Sequence, residues 1–310
     1  MKPPPIPVGM TLAIAAVERD TGLSKDTLRV WERRYGFPSP GRDEQGERVY
    51  PLDQIEKLRA LRRLLDAGHR PGKIMALPVE ELQRLAQAGN DRARSVAPDG
   101  QGELARYVEL LLAHQAGELR RELSQQLPRK GLVRFIGEDL VPMNEWVGEA
   151  WRRGELQIFE EHLYTEIAQG LLRQAIESIR GTGQRPRVIL STLPQEAHGL
   201  GLLMAEAVLA VEGCHCVSLG VQTPMPDLVA AAEAQRADVV ALSFSEAFRP
   251  NRAIEALVEL RRRVPPVVEI WAGGGCRALR GRQLAGVTAL HGLDDIAQAA
   301  GRWRHRHAAR

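Results

Sequence analysis

The sequence predicts a multidomain α and α/β chain: helices with a small β-wing at the amino end, helices in the middle, and a parallel sheet with helices at the carboxyl end. Three observations predict it. Polar, glycine-bearing breaks at residues 87–102 and 180–187 separate three stretches of different pattern. The first stretch carries two short helical patterns joined by Gly22. The last carries five short apolar runs alternating with helical ones, which implies parallel strands covered on both faces.

The boundaries that follow are a proline-stiffened tail at 1–10, a head at 11–86, a linker at 87–102, a helical segment at 103–181 and an α/β domain at 182–310. With 44% hydrophobic and 26% charged residues, the composition is that of a water-soluble chain. The formal net charge is only +3, so binding to nucleic acid requires a local basic patch. No apolar stretch is long enough to span a bilayer, and the first ten residues lack a signal-peptide apolar region. Three cysteines do not make a disulfide framework, and a reducing cytoplasm is expected. Cys214-His215-Cys216 reads as part of a strand, because no second ligand pair accompanies it.

In the head, residues 12–19 read as a first helix and Gly22 as the turn. Ser24 is a good N-cap for a second helix through Arg33. That helix exposes Lys25, Thr27, Arg29 and Arg33, with Arg34 and Tyr35 following. "GRDEQGERVY" reads as a β-wing closed by a glycine turn, and Asp53 as the cap of a third helix through Ala67. Between Arg19 and Lys73 there are thirteen Lys/Arg and nine Asp/Glu. Arginine and lysine neutralise phosphate, and a helix fits the major groove. The plain alternative for such charges is a solvated helix face.

The middle segment is helical from Gly102 to Ile179, with Leu104, Val108, Leu111 and Leu112 on one apolar face. Gly154 is expected to end one helix and Glu155 to begin the next. Trp151 is followed after nine residues by Glu161-His162. Taken singly, a tryptophan is usually core and Glu-His usually surface.

In the last stretch the strands are "RVILSTL", "HCVSLGV", "ADVVALSFS", "VVEIWAGGG" and "VTALHG". A flavodoxin-like order, 2-1-3-4-5, is expected. In such a sheet the ligand crevice lies beyond the carboxyl ends of strands one and three, where the strand order reverses. The loop after strand one contains Glu196, His198, Gly199 and Gly201. Strand three ends at Ser243 and Ser245, and strand four at Gly273 and Gly274. His198 is therefore a candidate metal or cofactor ligand. Glu196 is placed to hydrogen-bond its other ring nitrogen, and the glycines allow close backbone approach. A helix-capping histidine without a ligand is the alternative. A phosphoacceptor receiver would need acidic residues at the end of strand one, and a dinucleotide fold would need Gly-x-Gly-x-x-Gly there; both are absent.

Through "TGLSKDTLRVWERRYG" and "RVYPLDQIEKL" the head resembles the MerR family of DNA-binding regulators. The resemblance implies that the second helix, with Thr27 and Arg29, reads the major groove, and that Arg48 and Tyr50 on the wing contact phosphates. Dimers on near-palindromic operators are then expected. The series Glu196-x-His198-x-x-Gly201, Ser243, Gly273-Gly274 resembles the cobalamin-binding domain. It implies that His198 is the lower cobalt ligand and that the displaced nucleotide tail enters a slot lined by the serine and glycines. A glutamate stands here in place of the usual aspartate. Trp151 with Glu161-His162 resembles the four-helix bundle of the adenosylcobalamin-dependent CarH/LitR photoreceptor regulators, where these residues cover the upper face of the corrin. The whole pattern implies a repressor that binds adenosylcobalamin and operator DNA as a dimer or tetramer, with no membrane partner, and that light releases. Its implied targets are carotenoid or other photoprotective genes. One departure stands out: Arg152 occupies the position where the family often has a light-state histidine ligand. Its protonated guanidinium has no lone pair to offer. The alternatives are a light-insensitive cobalamin sensor, a cobalamin-independent regulator and a corrinoid methyl-carrier protein.

Overall fold

A computed structural model describes residues 11–43, 45–66, 69–88, 102–179, 184–280 and 284–307. The tail at 1–10 and most of the 87–102 linker lie outside the described residues. By contacts the chain divides into two units, residues 1–105 with 144–161, and residues 106–143 with 162–310.

In the first unit, β1 (Thr11–Ala13) leads into α1 (Ile14–Thr21) and α2 (Lys25–Tyr35). The hairpin strands β2 (Gly41–Arg42) and β3 (Arg48–Pro51) follow, then α3 (Leu52–Asp66), α4 (Pro71–Ile74) and α5 (Val79–Ala88). The three strands form one antiparallel sheet in the order β1-β3-β2. Three expectations need correction. Leu12 and Ala13 are not helical, because β3 takes them up as pairing partners of Tyr50 and Val49. Asp53 lies inside the first turn of α3 rather than capping it, since the helix starts at Leu52. The chain also makes two further helices after α3, the second running to Ala88, past the expected start of the linker.

The turn between α1 and α2 forms as the residues dictate. Gly22 adopts φ +65° and closes α1, its N–H donating to the Glu18 carbonyl. The Ser24 hydroxyl accepts the Thr27 N–H at 3.2 Å, satisfying a donor the helix leaves open. Leu28 and Trp31 turn the opposite face of α2 into a core with Val17, Ile55, Leu58 and Leu61. Arg59 on α3 holds Asp20 of α1 through two hydrogen bonds of 2.9 and 2.7 Å. Ser24→Ala is expected to lower the stability of the full chain's head transition by about 1 kcal/mol, read from urea unfolding.

The middle segment supplies α6 (Glu103–Leu112), α7 (Ala116–Lys130), α8 (Leu132–Phe135), a π-helical turn at Ile136–Leu140, α9 (Val141–Arg153) and α10 (Ile158–Ile179). The run from α8 to α9 is one helix with a wide turn, so four long helices result. Pro142 has no N–H to return to the helix, and at the wide turn the Val141 N–H reaches back to the Ile136 carbonyl. Within the second unit Asp139, whose side chain is fully buried, accepts from the Tyr107 hydroxyl at 2.8 Å and from Lys130 at 2.7 Å, joining α6 and α7 to the π-turn. The Tyr164 hydroxyl on α10 donates to the Leu140 carbonyl. Gly154, at φ +75°, ends α9 as expected. Glu155 does not begin the next helix. That helix starts at Ile158, where the Glu160 carboxylate accepts the Gln157 N–H at 2.7 Å, one half of a capping box.

The remaining elements are β4 (Gln184–Ser191), α11 (Leu200–Val211), β5 (Cys214–Ser218), α12 (Met225–Ala234), β6 (Val239–Ser243), α13 (Pro250–Arg263), β7 (Glu269–Gly273), a short 3-10 turn, β8 (Val287–Leu290) and α14 (Leu293–His307). The first strand begins at Gln184, three residues before its expected start. All pairings are parallel and the order is β5-β4-β6-β7-β8, the expected 2-1-3-4-5. Strand pleating sends Ile189, Val240, Leu242, Ile270 and Ala272 into one buried cluster with Leu228, Leu257 and Leu260 of α12 and α13. Their neighbours Val188, Leu190, Val239 and Trp271 are buried too. Burial on both faces explains why these strands read as unbroken apolar runs. The order reverses between β4 and β6, so the loops that follow them flank the crevice.

Candidate corrinoid site and DNA-reading head

The loop after β4 is tied down by short-range hydrogen bonds. The Thr192 hydroxyl donates to the Glu196 carbonyl at 2.6 Å and accepts the Gln222 N–H at 2.8 Å, joining it to the loop after β5. This fixes Glu196, whose residue is 1% exposed. One carboxylate oxygen accepts the His198 backbone N–H at 3.0 Å and lies 2.7 Å from His198 Nδ1. The other accepts the Ser245 N–H at 2.7 Å. Burial alone would raise this carboxyl's pKa; the hydrogen bond and charge of His198, with the N–H groups of Ser245 and His198, outweigh it and hold the pKa below its usual value. An ionised carboxylate at Nδ1 keeps the ring proton there and leaves the lone pair on Nε2, the nitrogen a metal would take. The His198 side chain is 57% exposed, which suits a ligand reached from solvent.

The small residues bring the walls together. A Cβ on Gly201 would stand 3.3 Å from the Ser243 hydroxyl, so the start of α11 lies against the end of β6. A Cβ on Gly199 would stand 3.0 Å from Val221, and one on Gly273 would stand 3.3 Å from the Leu290 carbonyl. Gly274 has a different reason from the expected one. It sits at φ +106° with its missing Cβ directed at the Phe244 backbone, so the glycine is required by chain packing whether or not a ligand enters. The Ser245 hydroxyl is buried and has no hydrogen-bond partner among the described residues. A carboxylate-backed imidazole, an unpaired buried hydroxyl and walls of glycine fit a corrinoid with a displaced nucleotide tail. Thr192 and Gln222, which fix the loop, carry no motif and were not read from the sequence.

Trp151 is half-buried in the last turn of α9, and its carbonyl accepts the Gly154 N–H at 3.0 Å. Glu161 is half-buried and His162 exposed in the first turns of α10. Arg152 pairs with Glu149 at 2.5 Å.

On α2, Arg29, Arg33 and Arg34 are exposed, and Lys25 and Thr27 partly so. Helical spacing puts Lys25, Arg29 and Arg33 along one line. Lys25 faces Glu18 at 3.7 Å and Arg29 faces Asp26 at 3.4 Å, both loose, exposed pairs. Arg34 lies over the Tyr35 ring. Val30, 43% exposed beside Arg29, belongs to the same surface, and its helical position was the available signal for it. Two wing residues depart from expectation. Arg48 is engaged by Glu32 of α2 at 2.9 Å. Tyr50 is fully buried as a core residue, so its ring is not displayed to phosphate; it lies on the inward face of β3, opposite Leu12.

Among the described residues no helix is long and apolar enough to cross a membrane. Residues 12–77 match the MerR HTH family regulatory protein description; residues 103–176 and 186–302 each match a B12 binding domain. The chain is 30% identical over 269 residues to the HTH-type transcriptional repressor CarA of Myxococcus xanthus, covering 86% of this chain and 88% of that one. It is 28% identical over 256 residues to the repressor CarH of the same organism, covering 82% and 85%. Its fold is similar to that of the monomethylamine corrinoid protein of Methanosarcina barkeri, with a TM-score of 0.52 at 12% identity over 64% of this chain and 96% of that one. With a helix-turn-helix head, a helical B12-binding segment and a corrinoid-type sheet in one order, the chain belongs to the CarA/CarH-type MerR regulators with B12-binding domains.

Proposed function

We propose that the protein is a transcriptional repressor whose hold on operator DNA is set by adenosylcobalamin, and that light releases it. The observation that carries this reading is the Glu196–His198 pair at the sheet's switch point, in the same chain as a DNA-reading head. His198 would hold cobalt from below through Nε2, with Glu196 orienting the ring. Ser243, Ser245, Gly201, Gly273 and Gly274 would receive the nucleotide tail, and Trp151, Glu161 and His162 would cover the upper face. Adenosylcobalamin, when bound, supplies a cobalt–carbon bond that light can break. A ligand shifts the protein only as far as it binds one arrangement better than another. Residues drawn from both the helical segment and the sheet would give it that preference, favouring a dimer or tetramer of paired heads in a cytoplasmic setting.

Arg152 favours a second reading, a cobalamin sensor that light does not control. Its guanidinium is paired with Glu149 and has no lone pair, so Arg152 could not take the adenosyl group's place: either His162 or water would, or the light response works differently. Size-exclusion and gel-shift measurements separate the readings, using a duplex the protein selects from a random pool. The expected result is a larger assembly and tighter DNA binding with adenosylcobalamin in darkness, both lost after green light. A dark response that survives illumination supports the second reading. No response to adenosylcobalamin in either condition contradicts both.

A further inference from the structure

The contact that ties the wing to the reading helix carries an inference independent of the cofactor. Arg48 on β3 meets Glu32 on α2 with two guanidinium nitrogens, Nε to Oε2 at 2.9 Å and Nη2 to Oε1 at 3.4 Å. Both side chains are 29% exposed, so the pair is partly withdrawn from water. The two residues lie 16 positions apart and on different elements, and a bidentate pair fixes angle as well as distance. The buried Tyr50 ring is close by: its pKa is raised first by burial and then by the Glu32 carboxylate, while Arg48 and Arg29 oppose the rise. This pair therefore joins the wing to the reading helix, and Arg48 is already committed to a carboxylate.

We propose that Glu32 is a positioning residue for DNA recognition: it clasps Arg48 so that the wing and the reading helix present one fixed surface to the duplex. Arg48 then acts through geometry rather than as a phosphate contact. The two roles give opposite signs when Glu32 is neutralised. Removing a negative charge from the DNA-facing helix should by electrostatics alone strengthen binding to any duplex. Releasing the clasp should instead weaken binding to the selected site while sparing non-specific binding.

The test uses the full-length protein, a duplex selected from a random pool and an unrelated duplex, over a range of KCl concentrations. Glu32→Gln is expected to lower affinity for the selected duplex about fivefold, the size of a partly exposed ion pair, with non-specific affinity unchanged or higher. Arg48→Gln should do the same without changing the slope of log affinity on log salt. The swap Glu32→Arg with Arg48→Glu should recover most of the loss seen with Arg48→Glu alone. Melting curves and helicity of each variant establish that the head is folded. Higher affinity for both duplexes with Glu32→Gln would overturn the proposal. So would a slope flattened by about 0.9 with Arg48→Gln, the mark of one lost phosphate contact. A folded swap variant that recovers nothing would overturn it as well.

Discussion

Glu196→Gln is expected to weaken adenosylcobalamin binding by about 10- to 100-fold, measured by equilibrium dialysis in darkness. The size follows from the hydrogen-bond count. Three N–H groups, from Ser245, the His198 backbone and the His198 ring, converge on the two carboxylate oxygens. Glutamine offers only one oxygen. Its amide NH2 must face either Ser245 or the histidine, donor against donor, in a site that is 1% exposed. A buried donor left unpaired costs about 1–3 kcal/mol, and the imidazole also loses the partner that orients it. His198→Ala removes the nitrogen proposed to bind cobalt and should cost more, with a changed absorbance spectrum. Because the Glu196 pKa is held below its usual value, the carboxylate's contribution is full above the usual carboxylate range. It drains away as pH falls through the lowered value, so the folded loop around His198 should lose stability on the acid side, read as an earlier urea transition of the α/β domain.

Gly274→Ala is expected to destabilise the α/β domain by about 3 kcal/mol or more, seen as an earlier urea transition. At φ +106° the new Cβ would lie 3.0 and 3.1 Å from the carbonyl carbon and amide nitrogen of Phe244, and closer still to its oxygen. Phe244 cannot yield easily: its N–H donates to the Gly273 carbonyl at 2.9 Å and its carbonyl accepts from Cys276 at 3.2 Å. Gly201→Ala provides the contrast. There the nearest atom is the Ser243 hydroxyl at 3.3 Å, the end of a side chain that can rotate. Folding should change by less than about 1 kcal/mol, while cofactor affinity is expected to fall because the methyl group would fill the gap beside Ser243 proposed to receive the nucleotide tail.

The strand order of the sheet was legible because strands buried on both faces leave continuous apolar runs, and the helices between them leave a different period. The reading helix was legible because Gly22 and Ser24 perform local backbone tasks that no distant residue can overrule. The Glu196–His198 pair was legible as spacing, since two residues of separation on a tight loop suffice for the contact. What escaped is non-local. Leu12 and Ala13 read as helix, yet β3 claims them as a strand. Arg48 and Tyr50, two positions apart on β3, share one face of that strand. That this face turns to the core at Tyr50, and that Glu32 would seize Arg48 beside it, depends on how α2 and the wing meet. Gly274 needs to be glycine for a different reason from the expected one: the requirement comes from Phe244, just past the end of β6 and thirty residues away in sequence. Thr192 and Gln222 hold the histidine loop without belonging to any pattern.

The most direct test of the account asks whether a protein nitrogen touches cobalt. The full-length protein is prepared with ordinary histidine and with histidine carrying the heavy nitrogen isotope. Each is loaded in darkness with the Co(II) form of cobalamin, and electron paramagnetic resonance is recorded. A three-line nitrogen splitting that becomes two-line on isotope substitution, and is lost in His198→Ala, is the predicted result. A splitting that ignores the isotope, or that survives unchanged in His198→Ala, would contradict the assignment of His198 as the lower ligand.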